Sequence, residues 1–224
     1  MKTTKWEQPL RNECINLRDM FSLALQRVEK DCSVDKLLKV FPEYTPRVKS
    51  RMKSVDSTVD KVKRKIKTEP DFIRWIRDQN YKEILLNQDG IGDYIGIRLI
   101  FPYISDFEAI IDQFISNYLV KNKNYEIIKG RDEKKRDSGY YALHSHVFVP
   151  FNYKKKQYKI PLEIQITSEM RDVWMEVQHR LIYKNENIED KDTKYLEELY
   201  AALADLIGSL EIIIFLPEKY GKLK

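Results

Sequence analysis

One stretch of this chain changes its hydrophobic period in mid-course. Leu162, Ile164 and Ile166 alternate with Glu163 and Gln165, a period of two that predicts a strand with one buried face. From Met170 onward, Met170, Val173, Trp174, Val177 and Leu181 recur at helical spacing and predict an apolar stripe. Ser168 suits the cap between the two, and Glu169 suits the first turn, where the helix dipole favours an acid. A strand running directly into a helix needs a sheet for the strand to join and a layer to cover its apolar face. Glu163 leaves that strand on the opposite side.

The remaining chain supplies both. Leu17, Phe21, Leu25, Val28, Leu37 and Leu38 repeat at helical spacing over Ile15 to Phe41, with a break near Cys32-Ser33. Pro42 to Pro46 is a further break. Helices are expected at Ser57–Lys67, with Ser57 near the start, at Asp71–Leu86 and at Asp106–Leu119. Strands are expected at Ile95–Phe101, Tyr125–Ile128 and Leu143–Val149, with a charged loop at Lys129–Gly139. A turn at Tyr153–Lys156 leads into the strand of Glu163. After a polar linker at Asn185–Asp192, a last helix of about Lys194 to Phe215 carries Leu196, Leu199, Leu203, Leu206 and Leu210 along one side, a row expected to dock on the sheet domain. This order predicts an α+β fold: a mixed, largely antiparallel β-sheet packed with helices, with N- and C-terminal helical extensions. The expected division is 1–46, 47–184 and 185–224.

Composition narrows the function classes. A hydrophobic fraction of 42% with 14 Tyr and 9 Phe excludes a disordered chain. Two cysteines, Cys14 and Cys32, make neither a disulfide framework nor a metal-site spacing. The first residues lack the apolar core of a signal peptide, and the most apolar segment, Leu206–Pro217, is too short to span a bilayer and contains Glu211. A cytoplasmic protein without membrane attachment is expected. The net charge is only +5, but it is unevenly spread: Arg47–Lys67 holds nine Lys/Arg and two acids, and Lys121–Arg136 holds seven and three. Two basic blocks suit a phosphate-rich ligand, and equally two solvated faces.

Three short constellations carry chemistry. In Asp93-Tyr-Ile-Gly-Ile-Arg98 an acid stands at the mouth of a strand, with a glycine and an arginine beyond it; Asp is a hard oxygen ligand for Mg²⁺, and a turn acid with a surface Arg is the bland alternative. Arg51-Met-Lys-Ser-Val-Asp-Ser57, continuing to Lys61 and Lys65, offers a guanidinium that can stack on a base and ammonium groups for phosphates, or a basic helix for any polyanion. Asp137-Ser-Gly-Tyr-Tyr-Ala-Leu-His144 joins a tight loop, aromatics for base stacking and a strand histidine.

In this order and spacing, together with Glu163-Ile-Gln-Ile and the helix histidine of His179-Arg-Leu-Ile-Tyr-Lys184, these motifs resemble the RelA/SpoT synthetase domain over about Arg47 to Lys184, and more narrowly the small alarmone synthetases. The resemblance implies a nucleotidyltransferase-like fold. It implies an enzyme that moves the β,γ-diphosphate of ATP to the ribose 3′-hydroxyl of GDP or GTP, giving (p)ppGpp and AMP with Mg²⁺ as cofactor. By the same resemblance, Arg51 and Arg98 would sandwich adenine, and Lys53, Ser57 and Lys61 would hold the triphosphate. Asp93 would ligate Mg²⁺, and Glu163 would join it or take the hydroxyl proton. Tyr140, His144 and Gln165 would serve the acceptor.

Three positions depart from the family pattern. Tyr141 and Thr167 stand where arginines are usual, and Gln178 stands where an acid precedes the helix histidine. Lys134, Lys135 and Arg136 could replace the missing acceptor-side charge. The toxin branch of the family resembles the arrangement too, and implies the 3′ end of tRNA as a second acceptor class, with an antitoxin protein as partner. Homo-oligomerisation through helices is implied by analogy. An inactive RNA- or partner-binding module on the same fold is a minor alternative, and the presence of both Asp93 and Glu163 opposes it.

Overall fold

The structure, a computed structural model, describes residues 5–42, 44–87, 89–102, 111–135, 141–181, 195, 198–199, 201–210 and 213; of 111–112, 129–135, 141 and 178–181 it describes the backbone alone. Three helices come first: α1 (Glu7–Asn16), α2 (Arg18–Asp31) and α3 (Val34–Val40). Then follow β1 (Arg47–Met52), α4 (Val55–Lys65), α5 (Pro70–Arg77), α6 (Tyr81–Leu86) and β2 (Ile95–Phe101). A π-type helix, α7 (Ile111–Lys121), precedes β3 (Glu126–Lys135), β4 (Tyr141–Tyr153), β5 (Lys156–Ser168) and α8 (Glu169–Leu181). The fold is α+β, as the order of periodic segments predicts.

The five strands form one sheet in the order β1-β2-β5-β4-β3. Only β2 and β5 run parallel; the other neighbours are antiparallel. The hairpin between β4 and β5 closes on Lys154 and Lys155, both with positive φ (46° and 62°). Two left-handed residues in a two-residue loop match the twist of the flanking strands, as in a type I′ turn.

Alternation sorts the sheet into two faces. Ile95, Ile97, Leu99 and Phe101 of β2, Leu162, Ile164 and Ile166 of β5, and Leu143 and Val147 of β4 point into the core. That core also takes Leu10 and Cys14 from α1 and Met20, Phe21, Ala24 and Val28 from α2, and α2 lies across β1, β2 and β4. Burial pushes the Cys14 thiol up to about 11 and Cys32 higher still, so both free cysteines behave as small core residues. No helix among the described residues is long and apolar enough to cross a membrane.

Several expectations need correction. Arg47–Met52, read only as a basic segment, is an edge strand. The helix after it begins at Val55, two residues earlier than expected, because the Ser54 hydroxyl accepts from the Ser57 amide at 3.1 Å; Ser57 does lie near the start, in the first turn. Asp71–Leu86 is two helices, parted near Gln79, whose φ is 54°. Residues 129–135 continue β3 instead of forming a loop, and residues 103–110, where the 106–119 helix was expected to begin, lie outside the described residues. On α8, Val173 and Val177 are 58% and 38% exposed, while Asp172, Trp174 and Met175 are buried. The last helix is present over 201–210, yet Leu199, Leu203, Leu206 and Leu210 are exposed; Ala204 and Ile207 are the residues that pack, against Trp174.

The turn before β2 is tightly determined. Gly90 donates its amide to Asn87, Ile91 donates to the Ile84 carbonyl at 2.8 Å, and Gly92 takes a φ of 66°. A Cβ on Gly90 would stand 2.4 Å from the Ile84 carbonyl oxygen, a backbone atom that cannot swing away. Gly90→Ala is therefore expected to cost about 2 kcal/mol or more, lowering Tm by roughly 4–8 °C in a thermal melt.

Candidate active site

The face of the sheet away from the core carries two rows of polar residues, set by register. Arg51 of β1 pairs with Gly96 of β2, Gly96 with Glu163 of β5, and Glu163 with His146 of β4. Two residues along, Lys49 pairs with Arg98, Arg98 with Gln165, and Gln165 with His144. A period of two on four adjacent strands thus gathers side chains that lie more than a hundred residues apart in the chain.

Glu163 is the centre of the first row and is only 7% exposed. Its Oε1 lies 2.9 Å from His144 Nδ1. Its Oε2 accepts from Arg51 Nη2 at 3.1 Å and from Gln165 Nε2 at 2.8 Å. Burial alone would raise this carboxyl. The His144 hydrogen bond, with the charges of His144, Arg51 and His146, outweighs it and brings the pKa down to about 2.

Asp93 stands at the entrance to β2, where its amide donates to the Ile91 carbonyl at 2.7 Å. Its carboxylate meets Lys61 Nζ at 2.8 Å and Lys53 Nζ at 3.1 Å, and Arg51 Nη2 at 3.8 Å. Lys53 is fixed from its backbone, whose amide donates to Tyr94 O at 2.7 Å. Lys61 also donates to the Ile91 carbonyl at 2.8 Å. Burial, with Lys53 and Lys65 nearby, lowers the Lys61 ammonium in spite of Asp93. Ser57 is four residues before Lys61 on α4, hence on the same helix face.

Arg51 and Arg98 bound a pocket whose other walls are Lys49, Ser50, Gly96, Ile97 and Gln165. Gly96 forms part of its floor: a Cβ there would lie 3.3 Å from Arg51 Nε. The absent side chain lets the Arg51 guanidinium lie along the sheet toward Glu163. Arg51, Lys53, Lys61, Asp93, Arg98, His144, Glu163 and Gln165 are linked in one network of ion pairs and hydrogen bonds. Tyr140 and Arg136 lie outside the described residues. Lys134 and Lys135 pair through the backbone with Ala142 and Tyr141 at the far edge of the sheet.

Two contributors were not singled out from sequence. Asp172 of α8 is 1% exposed and joins Arg98 Nη1 at 2.9 Å and Lys49 Nζ at 2.7 Å. Burial would raise its carboxyl, and the bonds from Lys49 and Arg98 overcome this and lower it. Arg98 Nε meanwhile donates to Gln165 Oε1 at 2.9 Å, so both edges of this guanidinium are held. Lys49 also pairs with Glu176. His146 is the second: a His-x-His on a predicted strand places two imidazoles on one face, a signal available from sequence. Thr167, where the family pattern has an arginine, is fully buried and brings no charge to the site.

Residues 50–188 match the family described as the region found in RelA / SpoT proteins. The chain is 30% identical over 156 residues to the GTP pyrophosphokinase YwaC of Bacillus subtilis (strain 168), covering 67% of this chain and 64% of that relative. Among solved structures, a GTP pyrophosphokinase family protein from Streptococcus pneumoniae superposes with a TM-score of 0.65 at 22% identity, over 92% of this chain and 96% of that one. The small alarmone synthetase 1 of Bacillus subtilis bound to its product pppGpp gives 0.61 at 20% identity, over 87% and 92%. Those structures share the fold. The matched region runs from the end of β1 through α8 and contains every residue of the two polar rows except Lys49; the chain belongs to the RelA/SpoT family.

Proposed function

We propose that the chain is an ATP-dependent pyrophosphokinase that transfers the β,γ-diphosphate of ATP to the ribose 3′-hydroxyl of GDP or GTP, forming (p)ppGpp and AMP. The observation that carries this reading is the pair of carboxylates, Asp93 and Glu163, that converge on one Arg51 guanidinium, with Lys53 and Lys61 on the outer one. Diphosphate transfer demands little covalent chemistry from a protein. It demands alignment of two anionic substrates and stabilisation of charge on phosphate oxygens. Cations around one carboxylate, next to a second carboxylate in an enclosed position, suit that demand. The names of the B. subtilis relative and of the product-bound structure point the same way.

Within this reading Arg51 and Arg98 flank the adenine over Gly96, while Lys53, Lys61 and Ser57 take the triphosphate. Asp93 and Glu163 offer hard oxygen donors close to one another, which suits Mg²⁺, an ion that uses one or two carboxylates plus substrate phosphates. Magnesium, when bound, neutralises phosphate charge. Glu163 orients the attacking hydroxyl and is held for it by Gln165 and His144. A carboxyl near 2 is a good ligand and hydrogen-bond acceptor and a weak base, which favours the orienting and metal-binding role over proton abstraction. Tyr140 stacks on the acceptor base, and Lys134, Lys135 and Arg136 serve its phosphates. The reaction belongs to the reduced cytoplasm, where ATP and free thiols such as Cys14 and Cys32 coexist.

The test is incubation of purified protein with ATP labelled in its β,γ-phosphates, Mg²⁺ and GDP, GTP or deacylated tRNA. Label in a guanine nucleotide with equimolar AMP supports the proposal. Label on tRNA would replace the acceptor, a result the missing arginines at Tyr141 and Thr167 accommodate, and absence of AMP would overturn the enzyme reading.

Asp172 gives a separate check. Asp172→Asn frees Arg98 and Lys49 from their common anchor without touching Asp93 or Glu163. KM for ATP is expected to rise about tenfold, with a smaller change in kcat, in steady-state kinetics. Its carboxyl is depressed in the folded state, so its contribution to stability is full above the unfolded value near pH 4 and is lost as pH falls through the folded value. The variant should accordingly show a flatter loss of Tm on acidification below about pH 4.

A further inference from the structure

His144 and His146 lie two apart on β4, so the pleat turns both imidazoles to the same face, with ring centroids 6.4 Å apart. β5 runs antiparallel beside them and places Glu163 directly opposite His146. One nitrogen from each ring and a carboxylate oxygen of Glu163 all lie within 4.8 Å of one another. Ligand atoms around a four-coordinate ion at about 2.1 Å are about 3.4 Å apart. Side-chain rotations that close each pair by no more than about 1.4 Å would therefore complete a site.

The two oxygens of Glu163 are already divided between tasks. Oε2 is held by Arg51 and Gln165, and Oε1 faces His144. A metal on Oε1 would leave the Oε2 bonds intact, and these become the outer contacts that fix a ligating carboxylate. Imidazole is a borderline donor that suits Zn²⁺, Co²⁺, Ni²⁺ and Cu²⁺, whereas Mg²⁺ seeks oxygen. Two nitrogens and one oxygen thus select against the ion that Asp93 suits. Three protein ligands leave at least one coordination position of a four-coordinate ion open.

We infer that His144, His146 and Glu163 form a binding site for a borderline divalent transition-metal ion of the Zn²⁺ or Co²⁺ type. The site is a property of these three side chains whatever the reaction. A consequence rests on the proposed function: because Glu163 is shared, an ion bound here withdraws the carboxylate from diphosphate transfer and inhibits it at saturating Mg²⁺.

Titration of the metal-free full chain with Co²⁺ tests the site through the visible d–d bands of the bound ion. The expected result, in the absence of nucleotide, is one Co²⁺ per chain with the intense bands of four- or five-fold coordination, displaced by Zn²⁺ and retained in excess Mg²⁺. His146→Gln is expected to weaken binding at least about tenfold. His146→Cys is expected to retain it and add a thiolate-to-cobalt charge-transfer band, which shows a folded site and separates ligation from mere structural damage. Weak octahedral bands only, or identical titrations for wild type and both variants, would overturn the assignment. Zn²⁺ inhibition of AMP release that is relieved in His146→Gln supports the shared carboxylate. Full Co²⁺ binding without any inhibition by Zn²⁺ would keep the site and remove Glu163 from the reaction.

Discussion

Asp93→Asn is expected to lower AMP release by about a thousandfold while ATP still binds. The physical reason lies in the charges around that carboxylate. Lys53, Lys61 and Arg51 place three cations within 4 Å of it, and Glu163 shares Arg51 with it. Loss of the Asp93 charge leaves these cations with one carboxylate fewer, so the attraction for a triphosphate does not fall; binding of ATP without metal should be equal or tighter. What is lost is the hard oxygen donor for the ion that neutralises phosphate charge during transfer, an effect worth several kcal/mol, or about three powers of ten in rate. Lys61, whose ammonium burial already disfavours, loses its anionic partner, so a modest drop in Tm that ATP restores should accompany the change. Calorimetric ATP binding beside single-turnover AMP release checks both halves. Near-normal turnover would remove Asp93 from the metal role, and parallel loss of ATP binding would make it a structural residue.

How much of this was legible beforehand depends on what kind of force placed each residue. The alternation of Leu162, Ile164 and Ile166 with Glu163 and Gln165 is imposed by the sheet itself, and the strand and its two faces could be read directly. Which strands become neighbours could not. β2 and β5 pair in parallel across an excursion that contains α7, β3 and β4, so the adjacency of Gly96 and Glu163 has no local signature. The family motifs supplied that adjacency by resemblance. β1 escaped notice because Arg47-Val-Lys-Ser-Arg-Met is an edge strand whose outward residues are all basic, and charge hides a short period of two. The apolar stripe assigned to α8 holds at Trp174 but fails at Val173 and Val177, for a more instructive reason. Its inward side is set partly by the ion pairs of Asp172 with Lys49 and Arg98, and hydrophobic periodicity cannot detect a helix face chosen by a buried charge. Val173 and Val177 are the apolar residues left outside by that choice. The same ion pairs fix Arg98, so the element misread in the fold is also the residue overlooked at the site.

Glu163→Gln is expected to reduce turnover by about a thousandfold or more with little change in the fold. The glutamine amide keeps the shape and can still accept from Arg51 or Gln165, so the packing of β5 between β2 and β4 survives. Only the charge goes. Glu163→Asp makes the opposite change, keeping the charge and withdrawing it by one methylene. If charge and metal binding dominate, the aspartate variant should be the more active of the two, with a loss of about a hundredfold from misplacement. The reverse order would mean that position, not charge, is what Glu163 contributes. Acidity separates the roles further. The folded carboxyl lies near 2, below its unfolded value, so Glu163 is ionised throughout any practical assay and its stabilising contribution disappears only as pH falls from about 4.5 toward 2. The wild-type profile of kcat/KM should therefore show no acid limb with a midpoint at the ordinary glutamate value. Such a limb would mean that the carboxyl in the working enzyme is released from His144 and Arg51, and would return proton abstraction to Glu163.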